Sequence, residues 1–356
     1  MSPGPVVKVD AGPVNMLSNV QALRFYAAFA VVLYHSRKLF TELGLQGDWF
    51  LGWAKYGNVG VDIFFVISGY VMWHTTRNTT RNVSSSLEFA RRRLLRIYLG
   101  YWPFYVLAAL VTLFITHRDP ANIYWFKSFF LFNHTIRNQV LGVAWTLSYE
   151  LYFYAIFAFL ILLSSFRARQ LLVVLLVGVV VVNAYLPTHK YEYGFFISPF
   201  LIEFFAGSLL AAYLGHCRSR SLLLLCMLMI FVMLAYAVTL PRFHMSRVQG
   251  FGVAAMLIVL AGVLAENTRL YTASRFWVFL GNCSYSIYLG HFVLLWVYMY
   301  ALDQLQLQTS LVTSILIYFS YLLLVIVLSV GSYRYVEAPV YKYALKNWRS
   351  PRPGNH

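Results

Sequence analysis

The chain has 356 residues, of which 60% are hydrophobic and 11% are charged, and its mean hydropathy is +0.65. Soluble globular proteins carry about 25% charged residues, so this composition excludes a soluble globular protein and predicts an integral membrane protein. The formal net charge of +16 does not indicate a nucleic-acid partner, because the Lys and Arg residues are spread between apolar runs instead of forming one basic face.

Ten apolar segments predict an all-α protein that crosses the membrane ten times, since a spanning helix needs about 20 mostly apolar residues. The predicted spans are 18–39, 57–76, 96–116, 143–164, 170–187, 195–215, 220–240, 249–265, 276–300 and 309–331. The apolar segment 123–132 is shorter and carries Lys127, so we predict an interfacial or re-entrant piece there.

The distribution of Lys and Arg predicts that both termini are cytoplasmic. In this orientation eighteen of these residues fall in inner segments and nine in outer loops, as expected from the excess of positive charge on the cytoplasmic side of membrane proteins. We therefore expect a polar cytoplasmic tail at 1–17, a transmembrane domain at 18–340 and a basic cytoplasmic tail at 341–356. The N-terminal residues lack the features of a cleaved signal peptide, so the first span is expected to be retained.

The first span carries two ionisable residues, Arg24 and His35. They are 11 residues apart, which is three helical turns plus about 20°, so they share one face and lie about 16 Å apart along the axis. Ionisable groups inside a span are costly and usually face a bundle interior or a wet cavity. The alternatives are an arginine that snorkels to the interface and a histidine that only packs, and the shared face favours a functional pair.

Two carboxylates are predicted to lie at the depth of His35. Asp62 comes near the outer start of the second span, and Glu150 lies about two turns into the fourth. A carboxylate that accepts a hydrogen bond from one imidazole nitrogen would orient His35 as a general base. The alternative for each carboxylate is a structural ion pair that holds the bundle together.

An arginine cluster opens the third span at its cytoplasmic end. Its members are Arg91, Arg92, Arg93 and Arg96. Arg93 and Arg96 are three residues apart and fall on adjacent parts of one helix face. Guanidinium groups at that spacing suit a phosphorylated ligand, whereas the positive-inside rule and anionic lipid head groups offer a plainer explanation.

The later spans carry weaker signals. His291 is consistent either with a polar packing contact or with a cavity lining, and Glu337 is placed to pair with a cytoplasmic arginine. The three cysteines show neither metal-ligand nor disulfide spacing, so no metal site is predicted.

Taken together, these segments resemble the membrane-bound acyltransferase 3 family, over the range from about Val20 to Pro339. The matching pieces are Arg24 and His35 at an R-x10-H spacing, GVDIFFVISGY, Arg93-Leu-Leu-Arg96, AWTLSYELYFY, SYSIYLGHF and the terminal YRYVEAP. The AWTLSYE form is closer to that of the exopolysaccharide and Nod-factor acyltransferases. Leu151 follows Glu150 where many relatives have a second glutamate, so a mechanism that needs two adjacent carboxylates is not expected.

The resemblance implies an O-acyltransferase of the bacterial inner membrane that moves an acyl group, most commonly acetyl, to a hydroxyl of a glycan or lipid-linked saccharide. Acyl-CoA is then a cytoplasmic donor substrate and not a bound cofactor. His35 would act as general base or acyl carrier, oriented by Glu150, with Asp62 as the second candidate for that role. Arg93 and Arg96 would hold the CoA phosphates, and Arg24 would guide the pantetheine thioester.

The alternative function is a secondary transporter or flippase, because charged residues inside spans also mark ion and substrate pathways. Transporters commonly show internal inverted repeats, and none is visible in this sequence. A homo-oligomer is compatible with the sequence.

Overall fold

The computed structural model describes residues 17–45, 47–116, 118–132, 138–186, 192–240, 244–305 and 310–347. Within these ranges the chain is helical and has no β-strand, as the sequence predicts. The helices are α1 (Ser18–Glu42), α2 (Asp48–Ala54), α3 (Val59–Thr76), α4 (Val83–Phe114), α5 (Trp125–Phe129), α6 (Trp145–Ile161), α7 (Ser165–Tyr185), α8 (Phe200–Leu214), α9 (Arg220–Thr239), α10 (His244–Arg247), α11 (Val253–Asn267), α12 (Arg275–Asn282), α13 (Ser284–Leu305), α14 (Leu311–Ser332) and α15 (Ala338–Asn347).

Seven helical segments among the described residues are long and apolar enough to cross a membrane. They are Val83–Phe114, Gly142–Ile161, Ser165–Tyr185, Arg220–Thr239, Met245–Asn267, Ser284–Leu305 and Leu311–Asn347. The other three predicted spans also form helices, but α1 and α3 carry ionisable side chains and α8 has only 15 residues. The protein is therefore a multi-pass membrane protein with seven clear spanning candidates.

The structure moves the boundaries of three predicted segments. The third span begins at Val83, where the Asn82 side chain accepts a hydrogen bond from the Ser85 N–H at 2.8 Å, so the arginine cluster lies inside α4 and not at its start. The ninth predicted span is two helices, α12 and α13, separated at Cys283. The predicted C-terminal tail is helical up to Asn347; residues 1–16 and 348–356 lie outside the described residues.

Close contacts at small residues hold α3 between α1 and α8. A Cβ atom on Gly60 would lie 2.1 Å from the Ala27 carbonyl oxygen of α1, and one on Gly69 would lie 1.9 Å from the Phe204 carbonyl oxygen of α8. No side chain fits at these distances, so glycine is required for the helices to approach this closely. These contacts place α1 and α3 inside the bundle, where their polar residues can meet partners.

The predicted re-entrant piece contains the short helix α5, which hydrogen-bonds to α4. Tyr98 and Tyr101 donate to the carbonyl oxygens of Phe130 and Ser128 at 2.9 and 2.8 Å. Trp102 and Tyr105 add further bonds to this segment. Because lipid cannot satisfy free carbonyl groups, a non-spanning backbone segment at membrane depth needs such donors from the protein.

Glu266 of α11 fixes the N-terminus of α1. Its carboxylate accepts hydrogen bonds from the backbone N–H groups of Ser18 and Asn19 at 3.0 and 2.8 Å. The first N–H groups of a helix have no partner within it, and a negative charge there is also favoured by the helix dipole. The start of the helix that carries Arg24 and His35 is thus tied to a second helix.

A buried ion pair joins α3 to the helix that precedes α11. The Arg247 guanidinium donates to both oxygens of Asp62, at 2.9 Å from Nε and 2.7 Å from Nη2, and to the Asn58 carbonyl oxygen at 2.9 Å. Asp62 is fully buried. This is the structural ion pair that the sequence left open as the alternative for Asp62.

Glu266→Ala is expected to destabilise the protein, because two backbone N–H groups lose a charged acceptor. Removing a helix-capping side chain costs about 0.5–2 kcal/mol, so the apparent melting temperature in detergent should fall. Glu42→Ala, at an exposed position near the other end of α1, is the matched control and should leave it unchanged. Equal melting temperatures for the two variants would contradict this role of Glu266.

Asp62→Ala is expected to destabilise the protein more strongly, because it removes the carboxylate that forms two hydrogen bonds with the buried Arg247 guanidinium. Breaking one side of a buried ion pair costs about 3–5 kcal/mol. Replacing both partners, with Asp62→Leu and Arg247→Met, should recover much of that loss, since neither member of the pair then remains without the other. The apparent melting temperature in detergent is measured for all variants. A double variant that melts no higher than Asp62→Ala would contradict this explanation.

Candidate active site

A cavity of about 840 Å³, counting its open mouth, lies between α1, α3, α4, α6 and α13. Its polar lining consists of Arg24, Ser68, Arg93, Arg96, Thr146, Glu150, Tyr154, Ser284, Tyr285 and Tyr288. Apolar side chains of α3, with Ile97 and Leu147, complete the wall. The cavity therefore brings together four of the six residues that the sequence predicts for the site; His35 and Asp62 do not line it.

The three arginines of the cavity differ in how far their charges are already satisfied. Arg96 pairs with the buried carboxylate of Glu337 at 3.1 Å, which confirms the pairing predicted for Glu337. Arg93 donates to the neutral Thr75 hydroxyl at 3.3 Å. The buried Nε of Arg24 has no hydrogen-bond partner among the residues that the structure describes. The lining thus presents more positive charge than its one carboxylate can balance.

Glu150 faces this cavity, and its predicted contact with His35 is not observed. The Tyr154 hydroxyl, one turn later on α6, donates to a Glu150 carboxylate oxygen. Within the described parts of the chain, neither Glu150 nor Asp62 hydrogen-bonds His35. The structure instead pairs Asp62 of α3 with Arg247 and places Glu150 of α6 at the cavity, so the predicted contact of a carboxylate with the imidazole is not observed.

The partner of His35 is a second histidine. Nδ1 of His35 lies 3.0 Å from Nε2 of His291 on α13, and the two rings stack at a centroid distance of 5.1 Å. His35 is partly exposed, whereas His291 is fully buried. The sequence left His291 open between packing and a cavity lining, and no spacing rule could connect residues 256 positions apart.

Tyr288 lies between the cavity and the histidine pair. It lines the cavity, and its ring centroid is 6.1 Å from that of His291 and 5.8 Å from that of Phe64. Its hydroxyl donates to the Val143 carbonyl oxygen at 3.0 Å and accepts from Thr146 at 3.1 Å. Sequence reasoning missed this tyrosine, although it lies one turn before His291 in the same motif.

Residues 17–334 match the model of the acyltransferase 3 family, described as an acyltransferase domain. The exopolysaccharide production protein ExoZ of Rhizobium meliloti (strain 1021) is 27% identical over 249 residues, which cover 66% of this chain and 75% of ExoZ. No solved structure matches the chain.

Two other relatives match over shorter stretches. BcsY of Komagataeibacter xylinus, named as a membrane-bound transacylase, is 29% identical over 182 residues, 47% of this chain and 43% of BcsY. The peptidoglycan O-acetyltransferase OatA of Listeria monocytogenes serovar 1/2a is 27% identical over 195 residues, 49% of this chain and 29% of OatA. Because the family match extends over most of its length, this chain belongs to the acyltransferase 3 family of membrane acyltransferases.

Proposed function

We propose that this protein transfers an acyl group, most simply acetyl, from cytoplasmic acyl-CoA to a hydroxyl of a glycan or lipid-linked saccharide. The observation that carries the proposal is the cavity in which Arg24, Arg93 and Arg96 face a single carboxylate, Glu150. A ligand for such a cavity needs several negative charges and a polar group that can reach Arg24. Acyl-CoA has both, in its phosphates and its thioester-bearing arm.

In this proposal, Arg93 and Arg96 bind the CoA phosphates. Guanidinium groups form strong, charge-assisted hydrogen bonds to phosphate oxygens. Arg93 is the more available of the two, because its described polar contact is with a neutral hydroxyl and Arg96 already pairs with Glu337. The proposal includes the orientation in which both termini are cytoplasmic. In this orientation the N-terminal half of α4, with Arg93 and Arg96, lies on the side of the membrane where acyl-CoA is made.

Arg24 then lies beside the pantetheine arm and the thioester. Its buried Nε without a described partner supports this, because a guanidinium without hydrogen bonds in an apolar bundle is costly unless a ligand or water satisfies it. Tyr288 marks the end of the cavity toward His35, so the acyl group has to pass this side chain to reach the acceptor.

His35 performs the transfer in the proposed reaction. It takes the proton of the acceptor hydroxyl while that oxygen attacks the thioester carbonyl carbon; the C–S bond breaks, and the CoA thiolate receives the proton. In a two-step version a ring nitrogen of His35 attacks the thioester carbonyl carbon, and the C–S bond breaks to release the CoA thiolate. The acceptor oxygen then takes the acyl group from His35, and the hydroxyl proton passes to the thiolate. Its partial exposure supports both versions.

The acceptor class is inferred from the relatives. ExoZ is named for exopolysaccharide production and OatA for O-acetylation of peptidoglycan, and both names refer to glycans. We therefore propose a glycan hydroxyl as acceptor and the bacterial inner membrane as the location.

Arg93→Gln is expected to weaken binding of acyl-CoA, because a charged hydrogen-bond donor to phosphate is lost. Such bonds contribute about 1.5–3 kcal/mol, which corresponds to a dissociation constant raised roughly 10- to 100-fold. Arg92→Gln is the control: it removes the same charge from the same helix, but the Arg92 side chain is 60% exposed and pairs with Glu88. Equal effects of both variants would favour a role in topology alone.

His35→Gln is expected to lower the rate of acyl transfer roughly 10²- to 10⁴-fold, since general base catalysis contributes about that much, while acyl-CoA still binds. The assay supplies labelled acetyl-CoA and a glycan acceptor to protein in liposomes and measures free CoA and labelled glycan. His216→Gln, at an exposed histidine that contacts Arg77, should keep full activity. Unchanged transfer by His35→Gln would rule out the proposed mechanism.

A further inference from the structure

His291, the second histidine of the pair, is not one of the groups that react in the proposed transfer. Its place in the structure is nevertheless well defined. The His291 side chain is fully buried, and the Tyr321 hydroxyl donates to its backbone carbonyl oxygen at 3.1 Å. Phe292 lies edge-on to the rings of both His35 and His291.

The hydrogen bonds of the pair define which nitrogens carry protons. Nδ1 of His291 lies 3.1 Å from the Ile287 carbonyl oxygen, which can only accept, so this nitrogen carries the hydrogen. A neutral imidazole has one N–H, so Nε2 of His291 is an acceptor. Nδ1 of His35, 3.0 Å from it, must then be the donor, and Nε2 of His35 is left with a free lone pair.

Burial without a carboxylate partner favours the neutral form of both imidazole rings. Among the residues that the structure describes, no carboxylate hydrogen-bonds either ring, and Arg37, two residues after His35 on the same helix, is positively charged. A charged imidazole buried without an opposite charge is unfavourable. In this neutral arrangement His291 donates to the Ile287 carbonyl and accepts from His35, whose ring also has a hydrogen bond with the backbone of Val31, one turn earlier on α1.

We infer that His291 is a positioning residue for the transfer reaction: it holds the proton of His35 on Nδ1 and turns Nε2 of His35 toward the acceptor hydroxyl. This inference rests on the proposed function of His35. It assigns to a histidine the role that the sequence predicted for a carboxylate. The partly exposed ring meets the substrate, and the buried ring sets its orientation and tautomer.

The proton balance of the reaction is compatible with this arrangement. Nε2 of His35 receives the proton from the hydroxyl as the oxygen attacks the thioester, and the positive charge spreads over two hydrogen-bonded rings because Nδ1–H points at His291. When the C–S bond breaks, Nε2 returns that proton to the CoA thiolate. Both rings end in the protonation state in which they began.

The first test reads the ring nitrogens directly and does not depend on turnover. Protein labelled with ¹⁵N-histidine in nanodiscs gives long-range ¹H–¹⁵N spectra that distinguish a protonated from a bare ring nitrogen. The His35 signals are identified by their loss in His35→Gln. We expect Nδ1 of His35 to be protonated and Nε2 bare; a His35 ring protonated on Nε2 overturns the inference.

The second test separates positioning from packing by two substitutions of His291. His291→Gln keeps an acceptor near the position of Nε2, whereas His291→Leu fills the buried space without one. We expect Leu to lower the turnover number roughly 10- to 100-fold, the usual loss when the partner that orients a histidine is removed, and Gln to restore most of it. The Michaelis constant for acyl-CoA should be unchanged in both.

The outcomes distinguish this inference from the function on which it rests. If His291→Leu turns over as fast as the unmodified protein, His291 only packs and the inference fails, while the proposed function stands. If His35→Gln is fully active, the proposed function fails even where the ring-nitrogen assignment is correct. Should His291→Leu not fold, the nitrogen spectra of the unmodified protein still decide the tautomer.

Discussion

The hydrocarbon interior of a membrane offers no hydrogen bonds, so each polar group inside this bundle depends on a partner from the protein. Distant parts of the chain supply these partners. Arg247 contacts Asp62, 185 positions earlier in the sequence. Glu266 contacts Ser18 at the start of α1 across 248 positions, and His291 contacts His35 across 256. Glycines at the helix contacts make these meetings possible, because they let the backbones approach closely enough for short polar side chains to reach.

Against that background, a buried polar atom without a described partner is informative where its side chain also lines a cavity. Arg24 has such an atom, and its side chain lines the cavity that Arg93, Arg96 and Glu150 share. The same side chain on the protein surface would carry no such information, since water would satisfy it. The cost of an unsatisfied guanidinium in an apolar bundle is thus the physical reason to connect this cavity with a charged substrate.

The site has two parts that a single aromatic side chain separates. In the proposed reaction the arginine-lined cavity binds the donor, and His35, with His291 beside it, exchanges the proton with the acceptor. Tyr288 lies between them and is held by two hydrogen bonds to the start of α6.

The sequence by itself determined the membrane environment, the helices and the residues worth attention, because these follow from local composition and helical period. It singled out Arg24, Arg93, Arg96 and Glu150, which the structure places around one cavity. Only the tertiary structure decided the partners of these side chains. Asp62 pairs with Arg247, Glu150 accepts a hydrogen bond from Tyr154, and His35 contacts His291. The tertiary structure also decided the break between α12 and α13. Helical spacing tells which residues share a face of one helix, but the neighbour of that face depends on how the helices rotate and pack, and that is set by contacts spread over the whole chain.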